Sequence, residues 1–150
     1  PQKGTKDTKG DAAHHTATEM NDRDEDIKKL CDTVRETSFA VHRFLRSGHV
    51  EKVYENAMVN RLRKAGIDVQ KQYPLNVYDE DGTLLGEFYA DLFVQEKLVV
   101  ELKACSQLAD EHVAQLLGYL RSSRCEHGML INFGGRRLQV KKYILTEEAY

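Results

Sequence analysis

The chain has 150 residues, of which 41% are hydrophobic and 31% are charged, and its formal net charge is −2. This length suits one domain with its own core and excludes two full domains. The near-neutral charge gives no support for a nucleic-acid partner, and no apolar run reaches the roughly 18 residues of a membrane span. Three isolated cysteines, Cys31, Cys105 and Cys125, fit a reducing compartment. We therefore expect a cytoplasmic protein that does not contact a membrane.

Residues 1–23 are polar and lack apolar periodicity, which predicts a disordered tail before a single domain at residues 24–150. Apolar residues then recur at helical spacing and predict a helix through about Arg46. A second helix is expected after Ser47-Gly48, and Gly66 is its predicted C-terminal stop.

The middle and end of the chain show strand patterns separated by turn residues. The extended segments are Val69–Tyr78, Thr83–Val94, Leu98–Ala104, Gly128–Phe133 and Leu138–Leu145, and one further helix is predicted over Asp110–Ser123. Pro74 indicates an edge strand or a bulge. The order α-α-β-β-β-α-β-β predicts an α/β fold with a mixed sheet flanked by helices.

Two predicted strands carry charged residues among apolar ones. Asp91 interrupts one run, and alternation places Glu101 and Lys103 on the same face of the next strand. Hairpin pairing would bring Asp91 close to Glu101. Two adjacent carboxylates repel each other unless a cation lies between them, and oxygen ligands select ions such as Mg²⁺ or Mn²⁺. A solvated sheet face with a cross-strand Lys–carboxylate pair is an equal alternative from alternation alone.

Two predicted helices offer further polar candidates. Gln115 and Tyr119 lie one turn apart on a polar stripe, which is usually a boundary between core and solvent. Glu51 lies in the first turn of its helix, where the helix dipole alone would favour a carboxylate. Each helix therefore has a structural explanation beside the functional one, and for the stripe of Gln115 and Tyr119 alone the structural explanation is the more common.

Taken together, these segments resemble a known family. Gly48, Glu51 and Tyr54 match the signature of the GxxExxY proteins, a branch of the PD-(D/E)XK nuclease superfamily. The similarity extends over about residues 26–145 and includes Ala90-Asp91-Leu92 and Val100-Glu101-Leu102-Lys103-Ala104. It implies a restriction-endonuclease-like αβββαβ core preceded by an extra N-terminal helix.

The resemblance also implies roles for individual residues. Asp91, Glu101 and the backbone carbonyl of Leu102 would bind the Mg²⁺ or Mn²⁺ ion, and Lys103 would be the catalytic lysine. Glu51 would assist the metal site. Gln115 and Tyr119 match the QxxxY motif of recombination-type exonucleases, in which these side chains contact the active site and the nucleic-acid strand.

The resulting hypothesis is a metal-dependent nuclease that hydrolyses phosphodiester bonds, with DNA a better candidate substrate than RNA. Arg121, Arg136 and Arg137 are expected to contact the substrate backbone, although ordinary surface charge explains each of them equally well. A homodimer is left open. The alternative is a non-catalytic nucleic-acid-binding or regulatory module that retains the nuclease fold.

Overall fold

A computed structural model describes the backbone of residues 2–146 and the side chains of residues 22–146. The chain divides into two compact units, Pro1–Asp32 and Thr33–Tyr150. Helix α1 (Gln2–Leu45) includes most of the stretch that we predicted to be a disordered tail. No proline after Pro1 interrupts that stretch, so a helix formed downstream can extend through it. The side chains of residues 1–21 lie outside the described part, and disorder of the tail stays a prediction.

The helices of the second unit have the apolar stripes expected of them. In α1, Val34 and Val41 are fully buried, and α2 (Glu51–Lys64) buries Tyr54, Met58 and Leu62 at intervals of four residues. Such spacing places the buried residues on one face of each helix. The chain turns after α2 with Gly66 at φ +80°, which confirms the predicted stop.

The remaining elements form a five-stranded mixed sheet with strand order β1-β2-β3-β4-β5, in which only β3 and β4 are parallel. Its members, with the third helix, are β1 (Val69–Tyr78), β2 (Leu84–Val94), β3 (Leu98–Lys103), α3 (Asp110–Ser123), β4 (His127–Asn132) and β5 (Gln139–Ile144). The predicted order of elements is confirmed. Pro74 lies in β1, an edge strand, as its missing N–H suggested.

Helix α3 covers one face of the sheet. Leu116 and Leu120 of α3 join a buried cluster with Phe93, Val99 and Leu130 from the strands. Helix α2 contacts β1, β2 and β3. Both helices are therefore held by apolar burial of roughly 25 cal/mol per Å².

The crossover through α3 determines where the chain ends of β3 and β4 lie. Parallel strands need such a crossover, and their C-terminal ends then meet at the same edge of the sheet. Here Lys103 pairs with Asn132, the last residue of each strand. The loops after both strands consequently share the edge at which the predicted charged residues lie. Across the described part of the chain, no helix combines the length and the apolarity required to cross a membrane.

Candidate active site

Regular pairing between β2 and β3 stops where the two acids begin. The paired residues end at Leu92 and Val100. Beyond them, the Asp91 N–H donates to Oε1 of Glu101 at 3.2 Å, and the Leu102 N–H donates to Oδ2 of Asp91 at 2.8 Å. In a continuous β-ladder, backbone N–H groups donate hydrogen bonds to backbone carbonyl oxygens of the neighbouring strand. Here two of these N–H groups donate to carboxylate oxygens instead. Both acids are directed into the gap between the strands.

The strand geometry around Asp91 is irregular. Ala90 and Phe93 both belong to the buried cluster beneath α3, although residues three apart fall on opposite faces of a regular strand. In the neighbouring strand, Gln72 has φ +51°, and the following Tyr73 ring lies 4.6 Å from that of Phe93. The alternation thus changes phase at Asp91, although the register with β1 is the same on both sides of it, and the change directs a polar side chain away from the core.

Glu101 is a buried acid of this site, with 4% of its surface exposed. The pKa of Glu101 is raised to about 8, first by burial and then by the neighbouring Asp91 charge, whereas the Asp91 N–H and Lys103 oppose the rise. The negative charge of ionised Glu101 is therefore not balanced by groups of the protein. A cation in the gap would balance it.

The donor set fits a hard divalent cation. The N–H and C=O of one strand residue point to the same side, so the Leu102 carbonyl faces the same gap as its N–H. Two carboxylates and a peptide oxygen suit Mg²⁺ or Mn²⁺. Among the described residues, no group of three or more His, Cys, Asp or Glu is placed to hold a metal ion. This still matches Mg²⁺, which commonly uses one or two carboxylates and completes its shell with water and substrate phosphate.

Lys103 lies at the end of β3, on the same face as Glu101 by strand alternation. Its Nζ donates to Oε1 of Gln115 at 3.3 Å. Gln115 projects from the first half of α3, so the helix and the sheet together fix the position of the ammonium group. The structure thus brings Lys103 and Gln115 together beside the two carboxylates.

Glu51 is the first residue of α2. Burial raises its pKa, Asp91 and Glu55 raise it further, and Lys103 lowers it. These influences place Glu51 within electrostatic reach of both Asp91 and Lys103. The structure therefore brings this predicted residue to the same site, from a helix that is distant in sequence.

The loop before Glu51 is fixed by the other two residues of its signature. The Tyr54 hydroxyl donates to the carbonyl of Arg46 at 2.5 Å and accepts from the His49 N–H at 3.2 Å. Its ring stacks on Phe133 at 4.6 Å. Gly48 has φ +113°, where a side chain would be strained. The spacing G-x-x-E-x-x-Y thus has a structural cause, because glycine and tyrosine shape the turn that presents the glutamate.

Tyr119 lies one turn beyond Gln115 on α3. Burial raises the pKa of Tyr119, and the charges of Glu101 and Asp91 raise it further, whereas a hydrogen bond with Gln115 lowers it. Its hydroxyl therefore lies close enough to Glu101 and Asp91 for their negative charges to act on it. Both residues of the predicted QxxxY pair lie beside the same carboxylates.

Two residues of the site were missed by the sequence analysis. The amide Nε2 of Gln72 donates to Oδ1 of Asp91 at 3.3 Å and to Oε1 of Glu55 at 3.1 Å. Glu55 is 4% exposed and also pairs with Lys52 at 3.3 Å. Counting back from the β1–β2 turn would not have placed Gln72 opposite Asp91, because the register shifts between Val77 and Tyr78. Glu55 follows Glu51 by one helical turn.

Asn132 is a third missed residue, and it fixes the loop after Lys103. Its Oδ1 accepts from the N–H groups of Cys105 and Gly134, each at 3.0 Å. Its Nδ2 donates to the Cys105 carbonyl at 2.9 Å and to Oε1 of Gln139 at 3.1 Å. A Cβ on Gly134 would lie 2.3 Å from the Cys105 carbonyl oxygen, so only glycine fits beside this loop.

The three arginines predicted to contact the substrate are not gathered at one point. Arg121 is exposed on α3, two residues after Tyr119, whereas Arg136 and Arg137 are exposed in the loop between β4 and β5. Arg137 lines a cavity of about 330 Å³ together with Phe39, His42, Arg43, Arg46 and Leu138. This loop follows β4, so it lies at the same sheet edge as Lys103. Their contact with substrate stays a prediction.

Comparison with known families agrees with this arrangement. A family model of the PD-(D/E)XK nuclease superfamily matches residues 28–143, which is most of the chain. The chain belongs to the PD-(D/E)XK nuclease superfamily. The expected restriction-endonuclease-like α/β fold is thereby confirmed, and a nuclease-type domain is supported at the level of the superfamily.

A solved structure named "Crystal structure of SSO0001" is similar in fold, with a TM-score of 0.53 and 17% sequence identity. The match covers 65% of this chain and 52% of that chain, so this chain spans about half of its length. At this identity the similarity supports the fold alone. Among curated proteins, none matches the chain.

Proposed function

We propose that this domain is a divalent-metal-dependent nuclease that hydrolyses phosphodiester bonds, with DNA as its substrate. One observation carries the proposal. The carboxylates of Asp91 and Glu101 enter one gap between two strands, beside the Leu102 peptide and the Lys103 ammonium. Membership of the superfamily supports the same chemistry.

Asp91, Glu101 and the Leu102 carbonyl would hold Mg²⁺ or Mn²⁺, with Glu51 close enough to assist. A bound ion of this kind supplies a nucleophile at neutral pH and neutralises charge that develops on the phosphate. Gln72 holds one oxygen of Asp91, and the Leu102 N–H holds the other. Asp91 is consequently oriented before any ion binds.

The remaining residues would act on the water and on the substrate strand. Lys103 is held by Gln115 and would position the attacking water. Tyr119 would contact the strand next to the scissile phosphate. Arg121, Arg136 and Arg137 would neutralise flanking phosphates, as basic side chains do in most protein–DNA contacts.

Three finer assignments belong to the proposal. The GxxExxY branch is supported by the turn that Gly48 and Tyr54 form around Glu51. A cytoplasmic location is supported by the three described cysteines, which form no disulfide with one another. A homodimer stays a prediction, which sedimentation of the purified protein would test.

The test is a cleavage assay with the purified chain. Labelled single- and double-stranded DNA and RNA would be incubated with Mg²⁺, with Mn²⁺ or with EDTA. We expect cleavage of DNA that EDTA abolishes. Lys103→Ala should abolish cleavage and largely preserve binding, and Lys97→Ala is the matched control because Lys97 is exposed in the β2–β3 turn.

Two results would count against the proposal. Binding without cleavage in either metal, across all four substrates, would favour the non-catalytic module. Cleavage by Lys103→Ala at the rate of the Lys97→Ala control would show that the activity comes from elsewhere.

A further inference from the structure

An aromatic pair lies beside the candidate active site, and one of its two members, Phe88, has no part in the function proposed above. The rings of Phe88 on β2 and Tyr119 on α3 lie 5.5 Å apart between centroids and are inclined at 41°. Phe88 is 43% exposed, although it is a large apolar side chain. Its ring is therefore available to a planar ligand.

The pair is continuous with the catalytic residues along both of its elements. Phe88 precedes Asp91 by three residues, which is about 10 Å along a strand. Tyr119 follows Gln115 by one helical turn, about 6 Å along the axis. Burial, and then the charges of Glu101 and Asp91, raise the pKa of the Tyr119 hydroxyl, so Tyr119 lies near both acids. A nucleotide next to the scissile phosphate would thus have its base within reach of the two rings.

Aromatic side chains in such positions bind nucleobases by stacking, largely without regard to base identity. A base inside a duplex is already stacked between its neighbours and paired with the opposite strand. It reaches a protein ring only after it leaves that stack. A ring beside the cleavage point therefore favours a strand whose bases are free.

We propose that Phe88 and Tyr119 form a stacking surface for an unpaired nucleobase beside the scissile phosphate. The substrate class is then DNA with single-stranded segments or frayed ends. This inference rests on the proposed nuclease function and narrows it. Phe88 is the residue that determines specificity, because stacking is the only role assigned to it. Tyr119 also forms a hydrogen bond with Gln115 and lies near the charges of Glu101 and Asp91.

A second copy of the chain is the competing occupant of this surface. Leu84 and Leu85, at the start of β2, are also exposed, at 47% and 62%. An interface between copies would use these aliphatic residues as well as Phe88. A base-stacking surface would use the ring next to Tyr119 and would not depend on Leu85, so Leu85→Ala separates the two.

The test measures base stacking without cleavage, in the Lys103→Ala background with Mg²⁺. The probe is a single-stranded oligodeoxynucleotide that contains 2-aminopurine, whose fluorescence falls when it stacks. Its matched partner has the same length and phosphates but abasic positions in the centre. We expect the first to bind roughly tenfold more tightly than the second, as one stacked base implies. Phe88→Ala should remove this preference and the quenching, whereas Phe88→Tyr and Leu85→Ala should retain both.

The outcomes separate this inference from the proposed function. If Phe88→Ala prefers the 2-aminopurine strand over the abasic strand as strongly as the protein with Phe88 does, the inference is overturned. This holds even if the wild-type chain cleaves DNA. A change of sedimentation in both Phe88→Ala and Leu85→Ala, with base preference intact, would overturn it in favour of an interface between copies. Absence of cleavage by wild type would reject only the nuclease. If Phe88→Ala does not fold, Phe88→Leu provides the same comparison, because it removes the ring and keeps the apolar volume.

Discussion

The two ends of the β2–β3 hairpin have opposite designs. Next to the turn, Leu92, Val94, Leu98 and Val100 have no exposed surface, and the backbones pair in regular register. At the other end, that pairing stops, and the side chains of Asp91 and Glu101 accept hydrogen bonds from backbone N–H groups. One hairpin thus contains a structural half and a chemical half, separated by a single residue position.

The difference shows how a sheet can present acids without losing its stability. Apolar burial near the turn fixes the two strands, so the distal half can tolerate a break in the ladder and a buried carboxylate. The break provides room for oxygen atoms that a regular ladder would not leave. Changes in one half should therefore affect folding, and changes in the other should affect chemistry.

The largest expected effect is on activity, from neutral isosteres of the two acids. Asp91→Asn or Glu101→Gln should lower the cleavage rate by about a hundredfold or more, because each removes a charged ligand of the cation. The fold should persist, since each amide occupies nearly the same volume. Single-turnover kinetics and thermal unfolding of the same preparations measure both quantities.

A matched substitution outside the gap is Glu96→Gln, which lies exposed in the β2–β3 turn. It should leave the rate and the unfolding temperature unchanged. Unaltered cleavage by Glu101→Gln in Mg²⁺ would contradict the assignment of the gap as the catalytic centre.

The second effect concerns the structural half. Leu92→Ala should lower the free energy of unfolding by about 2–5 kcal/mol, since it removes a fully buried side chain and leaves a cavity. The folded fraction should still cleave at close to the wild-type rate. Urea denaturation and active-site titration with excess metal separate the two readouts. A large rate loss per folded molecule would show that the two halves are coupled.

Much of this division was readable from the sequence. Alternation and turn residues predicted the order of helices and strands, and Asp91, Glu101 and Lys103 stood out because each interrupts an apolar pattern. Residues of this kind are found because a charge in a buried strand has no structural reason to be there.

Gln72 and Glu55 could not be found in the same way. Gln72 looks like an ordinary polar residue of an edge strand, and only the phase change at Asp91 turns its amide toward the site. Glu55 looks like a charged helix residue. Its burial depends on how α2 lies against the sheet, which is a tertiary property.

The third prediction tests the bond from Gln72 to Asp91. Gln72→Ala should weaken Mg²⁺ affinity or activity by about tenfold, the usual effect of removing a partner that orients a ligand. Gln72→Gly should give the same loss although its backbone accommodates the φ of +51°. Isothermal titration with Mg²⁺ measures the affinity, and Gln70→Ala on the same strand is the control. A loss in Gln72→Ala that Gln72→Gly restores would attribute the effect to backbone conformation.

The fourth prediction is a pH dependence of stability. Burial and the neighbouring Asp91 charge raise the pKa of Glu101 from 4.5 to about 8, so the folded protein binds a proton more tightly than the unfolded chain. The metal-free protein should therefore lose stability as pH rises from about 5 to about 8. Urea denaturation in EDTA at several pH values measures the slope. Mg²⁺ should reduce the slope by binding the ionised form, and Glu101→Gln should lack this component. A slope of the same sign and size in Glu101→Gln would assign it to another group.

The smallest expected effect lies outside the hairpin, at Arg137. If Arg137 neutralises one backbone phosphate, Arg137→Ala should weaken DNA binding a few-fold and make the slope of log affinity against log salt less steep by about one unit. The loss should be the same for every DNA sequence, since a phosphate contact does not read bases. Fluorescence anisotropy at several salt concentrations measures the slope, and Arg124→Ala provides an exposed arginine of equal charge as control. Equal slopes for the two variants would mean that only the net charge matters. A smaller slope for Arg137→Ala than for Arg124→Ala would place the path of the DNA over the β4–β5 loop. This loop lies at the same sheet edge as Lys103, next to the two acids.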